Sequence, residues 1–126
     1  MTESRPLRIL IVEDSTAMRQ LLAIASRRRG AEVQEAGDGL AALKLLKDSA
    51  FDLVFIDLNM PVLDGMKLIK RVREDEAYAQ TKICVVTTES AQATEEQARS
   101  LGANYFLRKP VSRRDIEHVL AEAFPP

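Results

Sequence analysis

Four places along the chain carry residues able to do chemistry together. Glu13-Asp14 is an acidic pair, Asp57 a single carboxylate, Thr87-Thr88 a pair of hydroxyls, and Lys109-Pro110 an ammonium beside a proline. Three carboxylates brought to one place repel strongly and need an offsetting charge. A hard divalent cation with oxygen ligands supplies it; Mg²⁺ typically takes one or two carboxylates with waters and phosphate oxygens. A lysine ammonium adds a second compact positive charge. A threonine hydroxyl can donate to a phosphoryl oxygen, and an aspartate can act as a nucleophile and form an acyl phosphate. Cation and lysine together would neutralise the charge that develops on a transferring phosphoryl group. Taken singly, each residue has a plainer reading: Glu13-Asp14 as the acidic start of a helix, Asp57 as a strand-end turn residue.

The conjunction depends on the elements that must position these residues. Short β-branched-rich runs predict strands at Leu7–Val12, Glu32–Ala36, Leu53–Asp57, Ile83–Thr87 and Tyr105–Arg108. They are mostly continuous rather than alternating, as in a parallel sheet covered on both faces. Between them, Met18, Leu21, Leu22 and Ala25 follow the spacing of one helix face, as do Ile116, Val119, Leu120 and Ala123. Leu45 and Leu46, then Leu68, Ile69 and Val72, give shorter stripes. Gly30 and Gly102 stand where helix C-terminal glycines belong. Ser90 and Ser112 stand as N-caps, with Asp115 three residues after Ser112. The Ala91–Leu101 segment has Leu101 as its only large apolar residue and predicts a weakly packed helix. Five β-α pairs imply an α/β sheet with right-handed crossovers. In such folds functional residues gather beyond the carboxyl ends of the strands. Glu13-Asp14, Asp57, Thr87-Thr88 and Lys109-Pro110 each stand at such an end.

Composition narrows the function classes. A length of 126 residues predicts one domain. Apolar residues make up 46% and charged residues 29%, the values of an ordinary globular domain. Eighteen basic against nineteen acidic residues leave a net charge of −1, against nucleic-acid binding by bulk electrostatics. The single cysteine, Cys84, excludes an intramolecular disulfide and the usual zinc clusters; in a strand run it reads as core. No apolar run is long enough to span a membrane, and Met1–Val12 is too weakly apolar for a signal peptide, so a cytoplasmic location is expected. His118 reads as a helix-surface residue, Arg27-Arg28-Arg29 as the dipole-favoured end of the first helix, and Glu74-Asp75-Glu76 as a charged surface loop.

The set Glu13-Asp14, Asp57, Thr87 and Lys109-Pro110 resembles the receiver domain of two-component response regulators. Asp57-Leu58-Asn59-Met60-Pro61-Val62-Leu63-Asp64-Gly65 is similar to that family's phosphoacceptor loop, and Gly102-Ala103 before the last strand also fits. The resemblance covers nearly the whole chain and is nearest to the single-domain, CheY-like regulators. It implies a flavodoxin-like, doubly wound (βα)5 fold, five parallel strands in the order 2-1-3-4-5, with a receiver domain over residues 7–124 and no output domain. It implies that Asp57 accepts a phosphoryl group from a histidine kinase or phosphotransfer protein. Asp14, Asp57 and the Asn59 carbonyl would bind Mg²⁺ directly and Glu13 through water. Thr87 and Lys109 would hold the phosphoryl group, the Lys109–Pro110 bond being cis. Phe106 matches the switch aromatic that turns inward with the threonine; on composition alone it is equally a core ring. Asn59 and Glu89 match positions that tune self-dephosphorylation. Two positions depart from the pattern: Thr88 stands where the family usually has a small residue, and Phe106 lacks a tyrosine's hydroxyl.

The resulting expectation is a monomeric signalling switch rather than a turnover enzyme, assisting its own phosphorylation and dephosphorylation. Its 89–120 surface would change preference for a downstream target protein, with no nucleic-acid or membrane partner. Chemotaxis, pilus motility, cell-cycle control and a phosphorelay shuttle remain as pathways. Two rivals stand beside it. A phosphate-independent receiver-like binding module needs no intact site. A small aspartyl-phosphate hydrolase wants a general-acid aspartate two residues after the nucleophile, where this chain has Asn59.

Overall fold

Three strands with almost wholly apolar sequences form the middle of the sheet, and their sequences explain why. In the computed structural model, which describes residues 5–60 and 62–125, β1 (Arg8–Val12), β3 (Leu53–Asp57) and β4 (Lys82–Thr87) are buried along nearly their whole length. Side chains on both faces of these strands must be covered, which a continuous apolar run satisfies. The outer strands β2 (Glu32–Ala36) and β5 (Tyr105–Arg108) are partly exposed, so the expectation of double coverage holds only for the inner three. All pairings are parallel, in the order β2-β1-β3-β4-β5.

Four helices connect the strands, α1 (Thr16–Arg28), α2 (Gly39–Asp48), α3 (Gly65–Glu74) and α4 (Gln92–Leu101), and α5 (Arg113–Ala123) follows β5; a short 3-10 turn lies at Glu76–Tyr78. Leu22 and Ala25 from α1 and Ile116, Val119 and Leu120 from α5 pack on one face of the sheet with Ile9, Ile11 and Phe55. Ala42 and Leu46 from α2, Leu68, Ile69 and Val72 from α3, and Ala98 from α4 pack on the other with Leu10, Val54 and Ile56. The predicted stripes on α1, α3 and α5 are therefore the buried faces.

The helix ends decide how firmly each is set. Ser15, Asp38, Asp64 and Ser112 each accept a backbone N–H at an N-terminus, and Ser112 with Asp115 forms a reciprocal capping box. Gly30, at φ +88°, follows the α1 cap in the left-handed region that glycine tolerates. Ser90 is not the cap of α4. Ala91 takes that place, with φ −68° and ψ 133° and no side-chain hydrogen bond, because the first helical carbonyl lies one residue later than the serine signal suggested. Ala98 is the one buried residue of α4. That helix thus has the narrow apolar face its sequence predicted but not the serine cap.

The backbone of Ala91 already has N-cap geometry and lacks only an acceptor. Ala91→Ser should stabilise α4 by about 1 kcal/mol, slowing amide exchange there by about fivefold. Hydrogen-exchange mass spectrometry should show the change confined to residues 92–101. Exchange unchanged there, or altered equally in α1, would refute the account of α4.

Candidate functional site

The carboxyl ends of β1, β3, β4 and β5 converge, and each delivers one part of the site. β1 runs into Glu13, whose N–H donates to Ala36 O at 3.0 Å, extending the pairing with β2 by one residue. Glu13 is 1% exposed and Asp57, the last residue of β3, is 4% exposed, whereas Asp14 is exposed. One carboxylate oxygen from each of Glu13, Asp14 and Asp57 lies within 4.8 Å of the others. Thr87 ends β4 fully buried, and its Oγ1 accepts the Glu89 N–H at 3.1 Å. Lys109 follows β5; its N–H donates to Thr87 O at 2.7 Å, and its bond to Pro110 is cis.

The Lys109 ammonium lies among the acids. Nζ is 2.8 Å from Glu13 Oε1 and 3.6 Å from Asp57 Oδ2. Asp57 Oδ1 accepts the Asn59 N–H at 3.1 Å, and Glu13 Oε2 accepts the Ser15 N–H at 2.9 Å. Glu13 Oε1 meets the ammonium as an ion pair but has no aligned hydrogen bond, although it is buried. Burial is the largest influence on Asp57. It outweighs the Asn59 N–H and the Lys109 charge and, helped by the neighbouring Glu13, raises the carboxyl to about pKa 7. For Lys109 burial opposes the charged form, but the contacts to Glu13 and Asp57 win and raise its pKa.

These residues fit a divalent cation. The donors are hard oxygens, they converge, and one buried oxygen has no aligned donor. The Glu13, Asp14 and Asp57 cluster is therefore a candidate Mg²⁺ site.

The loop after β3 explains why the phosphoacceptor-like segment ends in glycine. Gly65 N–H donates to Leu58 O at 3.1 Å, and a methyl group on Gly65 would lie 2.5 Å from Asp57 O. Only glycine lets the start of α3 sit directly on the end of β3. Val62 in the same loop has φ +71° and is 74% exposed, a conformation that β-branched residues rarely adopt. Pro61 lies outside the described residues.

The remaining predicted residues surround this centre. Asn59 and Glu89 are exposed and line a cleft of ≈ 520 Å³ with Asp64, Met66, Lys67 and Thr94. Thr88 is exposed, directly after buried Thr87. Phe106 is half-buried and packs on the face carrying α2, α3 and α4. A larger groove of ≈ 1030 Å³ lies between α2 and α3, away from the carboxylates.

Sequence reasoning passed over two supports of the acidic pair. Ser15 caps α1 and gives its N–H to Glu13. Arg19 Nη1 donates to Glu13 O at 2.8 Å, while its Nε pairs with Glu35 on β2 at 3.3 Å. A serine just ahead of a helical stripe is a readable cap signal. Arg19 carries no such mark, since its partners are set by how α1 lies on the sheet.

A sequence model of the response regulator receiver domain matches residues 9–121. The chain belongs to this family. It is 34% identical over 122 residues to the chemotaxis protein CheY-3 of Vibrio cholerae, covering 96% of this chain and 94% of that protein. The structure of Vibrio cholerae CheY4 superposes with a TM-score of 0.89 at 31% identity, over 95% of this chain and all of that one. The receiver domain of the Pseudomonas aeruginosa sensor histidine kinase PA1611 superposes at 0.83 and 26% identity, over 94% and 97% of the two chains. In it a magnesium ion is coordinated in the active-site cleft. The fold, the strand order and the acidic cluster together make this chain a CheY-type receiver, a signalling domain of two-component systems.

The raised Asp57 pKa has a sign that stability measurements can read. Between about pH 4 and 7 the folded chain keeps a proton that the unfolded chain releases, so stability falls as pH rises through that window. Asp57→Asn removes the charge. In chelator-treated protein at pH 8 it should melt higher than wild type by a few degrees, on the order of 1 kcal/mol after screening. The difference should vanish below about pH 4, where Asp57 is protonated in both states. A variant melting lower than wild type at pH 8 would show that burial and Glu13 do not govern this carboxylate.

Proposed function

We propose that Asp57 is the phosphoacceptor of a phosphorylation switch. The observation that carries this reading is the buried Asp57 carboxylate beside Glu13 and Asp14, with the Lys109 ammonium 3.6 Å from its Oδ2. An Asp57 oxygen attacks the phosphorus of a phosphohistidine on a histidine kinase or phosphotransfer protein. The P–N bond breaks, and the imidazole leaves. Asp14, Asp57 and the Asn59 carbonyl would hold Mg²⁺ directly and Glu13 through water, and the ion would supply positive charge to offset that on the phosphoryl oxygens. Lys109 supplies the fixed positive charge on the protein side. The Thr87 hydroxyl turns from the Glu89 N–H toward the new phosphoryl oxygens, and Phe106 follows inward.

The receiver unit comprises residues 7–124 and works in the cytoplasm as a monomer, docking the 89–120 surface on a downstream target protein. Asn59 and Glu89 at the mouth of the cleft set how fast water reaches the acyl phosphate. The only catalysis is the chain's help in its own phosphorylation and dephosphorylation. Asn59 stands where a hydrolase of small phosphate esters would want an acid.

The deciding experiment treats wild type and Asp57→Asn with acetyl phosphate and Mg²⁺ and weighs both by intact-mass spectrometry. Wild type should gain one phosphoryl group, the variant none, and chelation should abolish the gain. Equal labelling of both proteins, or of neither, would remove Asp57 from the role.

A further inference from the structure

The Phe106 ring is held by a contact that lies outside the carboxylate site. Successive residues of β5 face opposite sides of the sheet. Tyr105 and Leu107 pack with α1 and α5, Phe106 with α2, α3 and α4, and Arg108 emerges on the Phe106 side. The Arg108 guanidinium lies 5.1 Å from the Phe106 ring centroid, within cation–π range. Its Nη2 donates to Glu95 Oε1, on α4, at 3.0 Å. The other Glu95 oxygen accepts Arg99 Nε at 3.0 Å, so both of its oxygens are in use. Glu95 is 20% and Arg108 39% exposed.

The setting gives this contact leverage. α4 has no side-chain cap and buries only Ala98, and its polar ties, such as Arg99 to the Asn104 carbonyl, are exposed. Arg108 is also the register partner of Thr87, and the following N–H, that of Lys109, donates to Thr87 O. The strand that carries the tether is thus hydrogen-bonded to the residue that would meet a phosphoryl group. An inward turn of Phe106 takes the ring from under the guanidinium, and a shift of α4 draws Glu95 from Arg108.

We propose that Glu95, Arg108 and Phe106 form a clasp that holds the ring and α4 in the unphosphorylated arrangement, so that Glu95 and Arg108 set the position of the switch equilibrium. This rests on the reading of Asp57 as phosphoacceptor and of Phe106 as the ring that moves. Both residues are positioning residues. A half-exposed ion pair and one cation–π contact are each modest, so the clasp biases the equilibrium about two- to fivefold. A bias of that size is altered by salt, which weakens the exposed pair.

Fluorine NMR of the full chain, with 4-fluorophenylalanine at its four phenylalanine positions, tests this. Phe106→Leu assigns the signal, and the probe is beryllofluoride with Mg²⁺, a phosphoryl mimic for a carboxylate. Apparent affinity for the mimic scales with the fraction already in the receptive arrangement. Glu95→Gln and Arg108→Gln should each reach half-saturation at about two- to fivefold lower beryllofluoride than wild type, and the double variant at no lower a concentration than the singles. High salt should move wild type the same way. Arg99→Gln removes an ion pair from the same helix but leaves the clasp, and should keep the wild-type midpoint. A wild type whose Phe106 signal ignores beryllofluoride overturns the reading of Phe106 as the ring that moves, and the clasp with it, while the acetyl phosphate labelling of Asp57 separately decides the phosphoacceptor reading. A responsive wild type whose Glu95 and Arg108 variants keep or raise the midpoint overturns the clasp alone. Equal lowering in Arg99→Gln does the same, because general loosening of α4 would then suffice.

Discussion

Too many carboxylates share too little solvent at one end of the sheet, and most of the local structure answers that constraint. Glu13, Asp14 and Asp57 converge, and the Lys109 ammonium meets Glu13 and Asp57. Two of the three acids are almost wholly buried, where charge is costly unless paired. The molecule relieves the excess in several small ways. Asn59 and Ser15 give backbone N–H groups to Asp57 and Glu13, and burial keeps a proton on Asp57 to unusually high pH. What remains is an oxygen-lined centre short of positive charge. That is the demand a divalent cation meets, and the magnesium in the PA1611 receiver sits in the cleft of the same fold.

The sheet makes this unfavourable arrangement affordable by anchoring it to its most rigid parts. β1, β3 and β4 carry the acids and the threonine on strands that are buried on both faces, so the site residues have little freedom to spread apart. Gly65 lets α3 begin against the backbone of Asp57, and Arg19 braces the Glu13 carbonyl from α1. Rigidity is distributed unevenly, however. On the side toward α4 the packing thins, and Thr87, Phe106 and Arg108 face a helix with one buried residue and no side-chain cap. A stiff, charge-strained centre beside a loosely held helix is the combination a switch needs, because a charge added at the centre can be accommodated only where the structure yields.

How legible this was differs from part to part. The inner strands announced themselves because burial on both faces demands unbroken apolar runs. β2, read with the other strand-like runs, carries Glu32, Gln34 and Glu35 because an outer strand is only partly covered. Strand ends shifted by one residue at Leu7 and Lys82, where pairing continues or stops for reasons of neighbouring backbone rather than side-chain type. Ser112 was read correctly as a cap and Ser90 was not. Both are serines before a helix, but only Ser112 stands at the residue whose carbonyl opens the helix, a distinction of one position that composition does not encode. The site residues were legible because chain order places Glu13, Asp57, Thr87 and Lys109 at strand ends, and parallel topology turns strand ends into neighbours. Arg19, Glu95 and Arg108 were illegible for the opposite reason. Each is a long, ordinary surface-type side chain whose meaning comes from a partner on another element.

That contrast bears on what can vary within a family sharing one centre. Residues fixed by strand ends and tight turns answer to the carboxylate problem itself, which any receiver with the same acids must solve in the same place. Residues such as Glu95 and Arg108 answer to a milder requirement, the relative weight of two arrangements, which many different contacts can set. A pair worth a few tenths to one kcal/mol is negligible against the stability of the domain. Against the gap between two arrangements, a few kcal/mol at most, it is a sizeable fraction of the difference. The same weak interaction is therefore marginal for folding and consequential for signalling, and it belongs where the fold is least committed, between β5 and α4.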